Sequence, residues 1–296
     1  MKKLPIFYLL LLSLCVVGCT NDETSLPIST SATAYVESVN SITFDQDIED
    51  LLSDAVELST SSGKTVTSLA KGPSRFHGDR YGRCATVTHD EENNRKTIVF
   101  SGECNGWRGQ SRTGTIVITY SEERDSLGSF RQTEFDDFYM NDVKIEGIRR
   151  KEIIALDEQG NKTSRSSLTG GKMIYEDGTF SSREKNFTRY TVTENNERQY
   201  TILNGSSSGV SSDGTNFSLT IDSPIKFLYS CFSTSRFHKK GRVPVEGVKT
   251  LVSGSDTIIT DFGDGSCDFN AVVTTNGVSE TIDLSTKRRG GKLGKL

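Results

Sequence analysis

Three aspartates, Asp261, Asp264 and Asp268, share one short stretch with Gly263 and Gly265. Carboxylate oxygens on a glycine-tightened loop suit calcium, the only cofactor the sequence suggests. The spacing departs from the EF-hand loop and no glutamate closes it, so a plain turn held by Cys267 is the competing reading. A second acidic group, Glu134, Asp136 and Asp137, runs into Phe138 and Tyr139. Carboxylates beside aromatic rings occur at glycoside-hydrolase and sugar-binding surfaces. With Trp107, the only tryptophan, the residues Asp136, Asp137 and Tyr139 are the candidate ligand contacts. The competing reading is a strand edge with solvated acids, and a tryptophan that covers a disulfide and the sheet edge. His77, His89 and His238 are scattered, outside any HExxH or triad order. No GxSxG, Walker A or dinucleotide fingerprint occurs. Asp261-Phe-Gly263 matches a kinase tripeptide but lacks the other kinase elements. The chain is therefore read as having no catalytic residues.

The cysteines speak to compartment. Leu9 to Glu23 reads LLLLSLCVVGCTNDE. Lys2 and Lys3 precede an apolar run from Ile6 to Val17, too short to cross a membrane and suited to a secretory signal. Val16-Val17-Gly18-Cys19 places small residues before a cysteine, as in the lipobox of bacterial lipoproteins. Residues 1–18 are then the signal peptide and Cys19 the lipidated residue, whose acyl chains anchor the protein to a membrane. Asp22 and Glu23 follow, an acidic pair similar to the signal that sends Bacteroidota lipoproteins to the outer face of the outer membrane. The expected location is the outer membrane, facing the periplasm or the cell surface.

Cleavage before Cys19 leaves 278 residues, and 33 bases against 39 acids give a net charge of −6. An acidic, mixed-charge surface argues against nucleic acid as partner. Cys84, Cys104, Cys231 and Cys267 remain in the body, and an even number in an exported chain suggests disulfides. Residues 84–89 and 96–100 read as two strands, and a hairpin centred on Asn94 sets residue 84 opposite residue 104. Opposed strand residues have a disulfide's Cα separation, so the expected pairs are Cys84–Cys104 and, by remainder, Cys231–Cys267. Zinc is disfavoured, since no CxxC or paired histidine spacing occurs.

The elements that would position these groups are mostly strands. Residues 19–43 are Ser/Thr-rich and read as a flexible tether. Within 44–82, Ile48, Leu51, Leu52, Ala55, Val56 and Leu58 recur at helical spacing, with Asp45 as N-cap and acids in the first turn. That amphipathic helix, followed by a loop, is expected to pack on the body. From 83 to 286 the period becomes two. Thr115–Tyr120, Val143–Ile148, Thr188–Thr193, Phe217–Ile221, Val245–Val248 and Thr257–Thr260 are β-branched and aromatic-rich. Turn clusters at Glu176-Asp-Gly178, Asn195-Asn196, Ser212-Asp-Gly214 and Gly254-Ser-Asp256 separate them. Asn276-Gly277 between alternating runs marks a type I′ hairpin. Gly147 and Gly247, each inside a strand after a glutamate, mark bulges. The fold class is mainly β, a large antiparallel sheet or sandwich with one N-terminal amphipathic helix. A basic, disordered tail is expected at 287–296.

Several stretches resemble one family. They are Ser101-Gly-Glu-Cys-Asn-Gly106 with Arg112–Tyr120, then Glu134–Asn141, Val143–Gly147, Lys172–Gly178, and Asp261–Asp268 before the Asn-Gly hairpin. Their order is similar to that in a group of Bacteroidota lipoproteins without an assigned activity. Tyr175-Glu-Asp-Gly178 stands where the group has Tyr-Pro-Asp-Gly. The resemblance implies an exported, lipid-anchored, all-β body and no particular chemistry. The leading expectation is a non-catalytic binding or structural module of the envelope, with a glycan or protein partner. The alternatives are a carbohydrate-active enzyme or sugar-binding accessory, and a carrier for lipid or lipoprotein.

Overall fold

The computed structural model describes residues 85–105, 111–231 and 243–284, with the side chains of 103–105 excluded. The expected signal peptide, lipidated Cys19, tether, helix and loop at 44–82 and tail at 287–296, together with Cys84, Trp107 and the Cys104 side chain, lie outside the described residues.

Among the described residues thirteen strands form one antiparallel sheet in strict sequence order. They are β1 (Ala85–Asp90), β2 (Arg95–Asn105), β3 (Ser111–Tyr120), β4 (Phe130–Met140), β5 (Val143–Leu156), β6 (Lys162–Ile174) and β7 (Phe180–Glu194). They continue as β8 (Glu197–Val210), β9 (Asn216–Leu228), β10 (Pro244–Ser253), β11 (Asp256–Asp264), β12 (Asn270–Thr275) and β13 (Val278–Asp283). The antiparallel prediction holds, but the described residues form a single sheet and not a sandwich. They pack extensively only against their neighbours in the sheet.

Tight turns set the register. Asn276 and Gly277 have φ of 48° and 88°, the two left-handed residues that a type I′ turn requires. Asn195 and Asn196, at 52° and 63°, close β7 onto β8 in the same way. The Asn94 hairpin differs from expectation. Ala85 pairs with Phe100 and Asp90 with Arg95, so the turn is Glu91–Asn94 and its centre precedes Asn94. Continued by one residue, that register sets position 84 opposite 101. Cys104 instead pairs with Arg112 on β3, beyond a bulge. The opposed-residue argument for Cys84–Cys104 therefore fails, while the bond itself lies outside the described residues. Cys231–Cys267 is formed, with Cα atoms 5.5 Å apart.

Gly147 and Gly247 both sit at register shifts, as their mid-strand positions predict. Gly147 has a φ of 118°, and a Cβ there would lie 2.7 Å from the Gly171 Cα. Backbones this close leave room only for glycine.

Because directly paired residues share a face, the register divides the sheet into two unlike surfaces. One row across all strands runs His89, Lys96, Ile118, Thr133, Arg149, Leu168, Lys185, Ser207, Leu219, Leu251, Ile258, Thr275, Val278. This face holds the core. One apolar cluster gathers Ile98, Phe100, Ile116, Ile118, Phe138, Met140 and Ile145 on β2–β5. Another gathers Leu219, Ile221, Leu251, Ile258, Phe262 and Val273 on β9–β12. The row on the opposite face runs Asp90, Arg95, Thr119, Gln132, Arg150, Ser167, Asn186, Ser206, Thr220, Thr250, Ile259, Thr274, Ser279. Only Ile259 in it is apolar. That face is outward.

Candidate functional site

The acidic stretch on β4 is split by a bulge between Glu134 and Phe138. Asp137 occupies the extra position with a φ of 47°, and its carbonyl fills the space where a side chain at 114 would begin. Gly114 thus permits the bulge. The bulge reverses the alternation, turning Phe138 into the core at 0% exposure and leaving Asp136, Asp137 and Tyr139 toward solvent. Asp137 lies 3.4 Å from the Lys144 ammonium and accepts a hydrogen bond from the Tyr139 hydroxyl at 3.3 Å. Lys144 is raised in pKa, first by its hydrogen bond with Asp137 and then by its electrostatic interaction with Tyr139. Glu134 instead accepts from Gln132 Nε2 at 2.8 Å. The structure thus brings together Asp137, Tyr139 and Lys144, the last not foreseen, and separates Glu134 from them.

In the second acidic stretch each carboxylate caps its own turn. Asp261 accepts from Gly263 N at 2.8 Å, Asp264 from Ser266 N at 3.0 Å and Asp268 from Asn270 N at 2.9 Å. Hydrogen bonds from Ser266, its side chain first and its backbone N–H second, lower the Asp264 pKa. Among the described residues no group of three His, Cys, Asp or Glu side chains could hold a metal ion.

Sequence reasoning missed a cluster at the β1–β3 end of the core face. Lys96 is 1% exposed, with its ammonium 4.8 Å from the Tyr120 ring centre. Tyr120 and His89 hydrogen-bond through the hydroxyl and Nε2. Burial, with the charges of Arg124 and Arg131, lowers the Lys96 pKa to about 8. Burial raises the Tyr120 pKa. Lys249 repeats the arrangement in the other apolar cluster, 5.7 Å from the Phe262 ring. That residue is only partly buried as a whole, yet burial around its ammonium lowers the pKa to about 8. The sequence signal for Lys96 was its phase, since it alternates with Ile98 and Phe100 and so must share their face.

On the outward face a shallow trough of about 460 Å³ crosses β6–β9. Its walls are Arg165, Ser167, Glu184, Asn186, Ser206 and Thr220. Glu184 is tied down, accepting from Gly170 N at 2.7 Å. The short hydroxyl and amide side chains stand on paired strands, so their backbone positions are fixed while each hydroxyl can turn to donate or accept. Trp107, proposed to share a ligand surface with Asp136, Asp137 and Tyr139, lies outside the described residues.

Comparison with protein families, with curated proteins and with solved structures found no match to this chain. The class that the geometry of the described residues defines is an all-β body built on one long antiparallel meander.

Proposed function

We propose that the protein is an outer-membrane lipoprotein, anchored through acyl chains on Cys19, whose β-body is a non-catalytic binding module of the cell envelope. The lipobox and the resemblance to Bacteroidota lipoproteins support the anchor. The observation that carries the binding reading is the open trough on β6–β9, where Arg165, Asn186 and a bank of serines line the surface together with Leu168 and Leu219. Such a surface suits a hydrated polymer, and an envelope glycan is the partner it fits best, because sugar hydroxyls match closely spaced hydroxyl, amide and guanidinium groups. The sugar-binding accessory reading thereby gains over the carrier reading.

Two experiments test this. Cys19→Ala in the native cell should release the protein from the membrane fraction, and a variant that still pellets after a high-salt wash refutes the anchor. The mature chain should be retained on purified envelope polysaccharide, and Asn186→Trp, which fills the trough from an exposed position, should abolish retention. Equal retention of the variant refutes the trough as the binding surface.

A further inference from the structure

We infer that the core face of β2–β7 is the docking surface for residues 45–58 of the same chain. This rests on the two faces of the sheet and not on the proposed ligand. A lone sheet cannot bury its own face, yet Ile98, Ile116, Ile118 and Phe138 are 0% exposed. The described strands supply no second layer, since each packs extensively only beside its sheet neighbours.

The face has a definite chemical pattern. Its apolar cluster on β2–β5 is bordered by cations. Tyr120 pairs with Arg131 and Arg131 with Lys151. In the adjacent row Thr133 pairs with Arg149, Arg149 with Leu168 and Leu168 with Lys185. Arg131, Arg149, Lys151 and Lys185 therefore form one basic field on this face, and none of them is without a partner. None of the positions in these two rows carries an acid. The occupant must be apolar on one side and acidic at its margins.

Residues 45–58, DQDIEDLLSDAVEL, meet both requirements. Ile48, Leu51, Leu52, Ala55, Val56 and Leu58 make a helical stripe, and Asp45, Asp47, Glu49, Asp50, Asp54 and Glu57 are unopposed by any base. Fourteen helical residues are about 21 Å long at 1.5 Å each. The four strands β2–β5 span about 14 Å at about 4.8 Å per inter-strand spacing, so one such helix covers the apolar cluster. The linker also suffices, because the 26 residues from 59 to 84 reach up to about 86 Å before Ala85 opens β1.

The test places a photo-crosslinking benzoylphenylalanine at position 135 in the full chain. Phe135 is partly buried against the apolar cluster, and the replacement keeps its ring. Irradiation should yield an intramolecular product that peptide mapping assigns to residues 45–58. Leu51→Asp with Leu52→Asp in the same chain should abolish that product. The same probe at Val87, also packed on the cluster, should capture the same segment, which guards against a folding defect at position 135. Capture of residues 59–84 or 285–296, of a second copy, or of a lipid acyl chain overturns the inference. So does the absence of a 45–58 product at both probe positions.

Discussion

Replacing Lys96 by methionine should stabilise the protein at neutral pH. Lys96 is 1% exposed, and its pKa falls from 10.5 to about 8, first by burial and then by the charges of Arg124 and Arg131. A displacement of that size is a penalty of about 3 kcal/mol on the charged form. That penalty is the net difference between the two protonation states, so the contact with the Tyr120 ring beneath the ammonium is not subtracted from it. The charge at position 96 therefore costs at most about 3 kcal/mol at neutral pH. Methionine keeps the unbranched stem and packs against Ile98 and Ile118 without a charge. The pH dependence has a fixed sign. Between about 8 and 10.5 the unfolded chain binds more protons at this site than the folded one. Stability therefore rises with pH through that window and is lost again as pH falls toward 8. Lys249 is shifted in the same direction, so the variant should keep part of the slope. Urea unfolding at about pH 7, 8, 9 and 9.5, below the ordinary tyrosine pKa of about 10, should show the variant more stable at pH 7 and the gap narrowing upward. A variant less stable at pH 7, or a gap independent of pH, would refute the reasoning.

Gly205→Ala should cost about 3 kcal/mol or more, because Gly205 has a φ of 134° and a Cβ would lie 2.2 Å from the Asn186 carbonyl oxygen; a near-neutral midpoint in urea contradicts that close approach. Replacing Cys231 and Cys267 by alanine should cost roughly 4 kcal/mol for a loop of 36 residues, read from the same unfolding curves, and an unchanged midpoint rules the bond out as a structural staple. Asp157 accepts hydrogen bonds from the Asn161 amide at 2.9 Å and the Tyr190 hydroxyl at 2.7 Å, and these, Asn161 first, lower its pKa below 3.8. Its contribution is complete above the unfolded value and is lost as pH falls through the lowered one. Asp157→Ala should therefore melt earlier at pH 7, with the deficit shrinking in acid; a deficit that persists unchanged at low pH contradicts the linkage.

Much of the sheet was legible because its signals were local. The Asn276-Gly277 and Asn195-Asn196 turns carry their conformation in residue type, and Gly147 and Gly247 announced the bulges that the register contains. Strands β3, β5, β9 and β11 were visible through β-branched alternation. β6 and β8 were not, since Ser164, Ser166, Ser167 and Ser206–Ser208 offer no apolar phase and pairing on both sides holds them extended. The Asn94 hairpin was misregistered because its polar turn gave no marker of its centre. At the site, the acids were legible by type, but the bulge that separates Asp137 from Glu134 depends on Gly114 across the strand pair, a contact that no local pattern reveals. Lys96 was overlooked because charge was read before phase.

The division of the sheet into a buried core face and an outward polar face is most directly tested at two adjacent serines. Ser206 is exposed and Ser207 is 6% exposed, and a slip of one residue would exchange them. Ser206→Cys and Ser207→Cys are nearly isosteric, and maleimide labelling of each in the folded chain reads the face directly, with the native disulfide intact and any other reactive thiol subtracted. Ser206→Cys should label as fast as in urea-unfolded protein, and Ser207→Cys should be strongly protected until the chain unfolds. Equal labelling in the folded state, or protection of 206 with exposure of 207, would contradict the two-faced sheet on which the binding surface and the docking surface both depend.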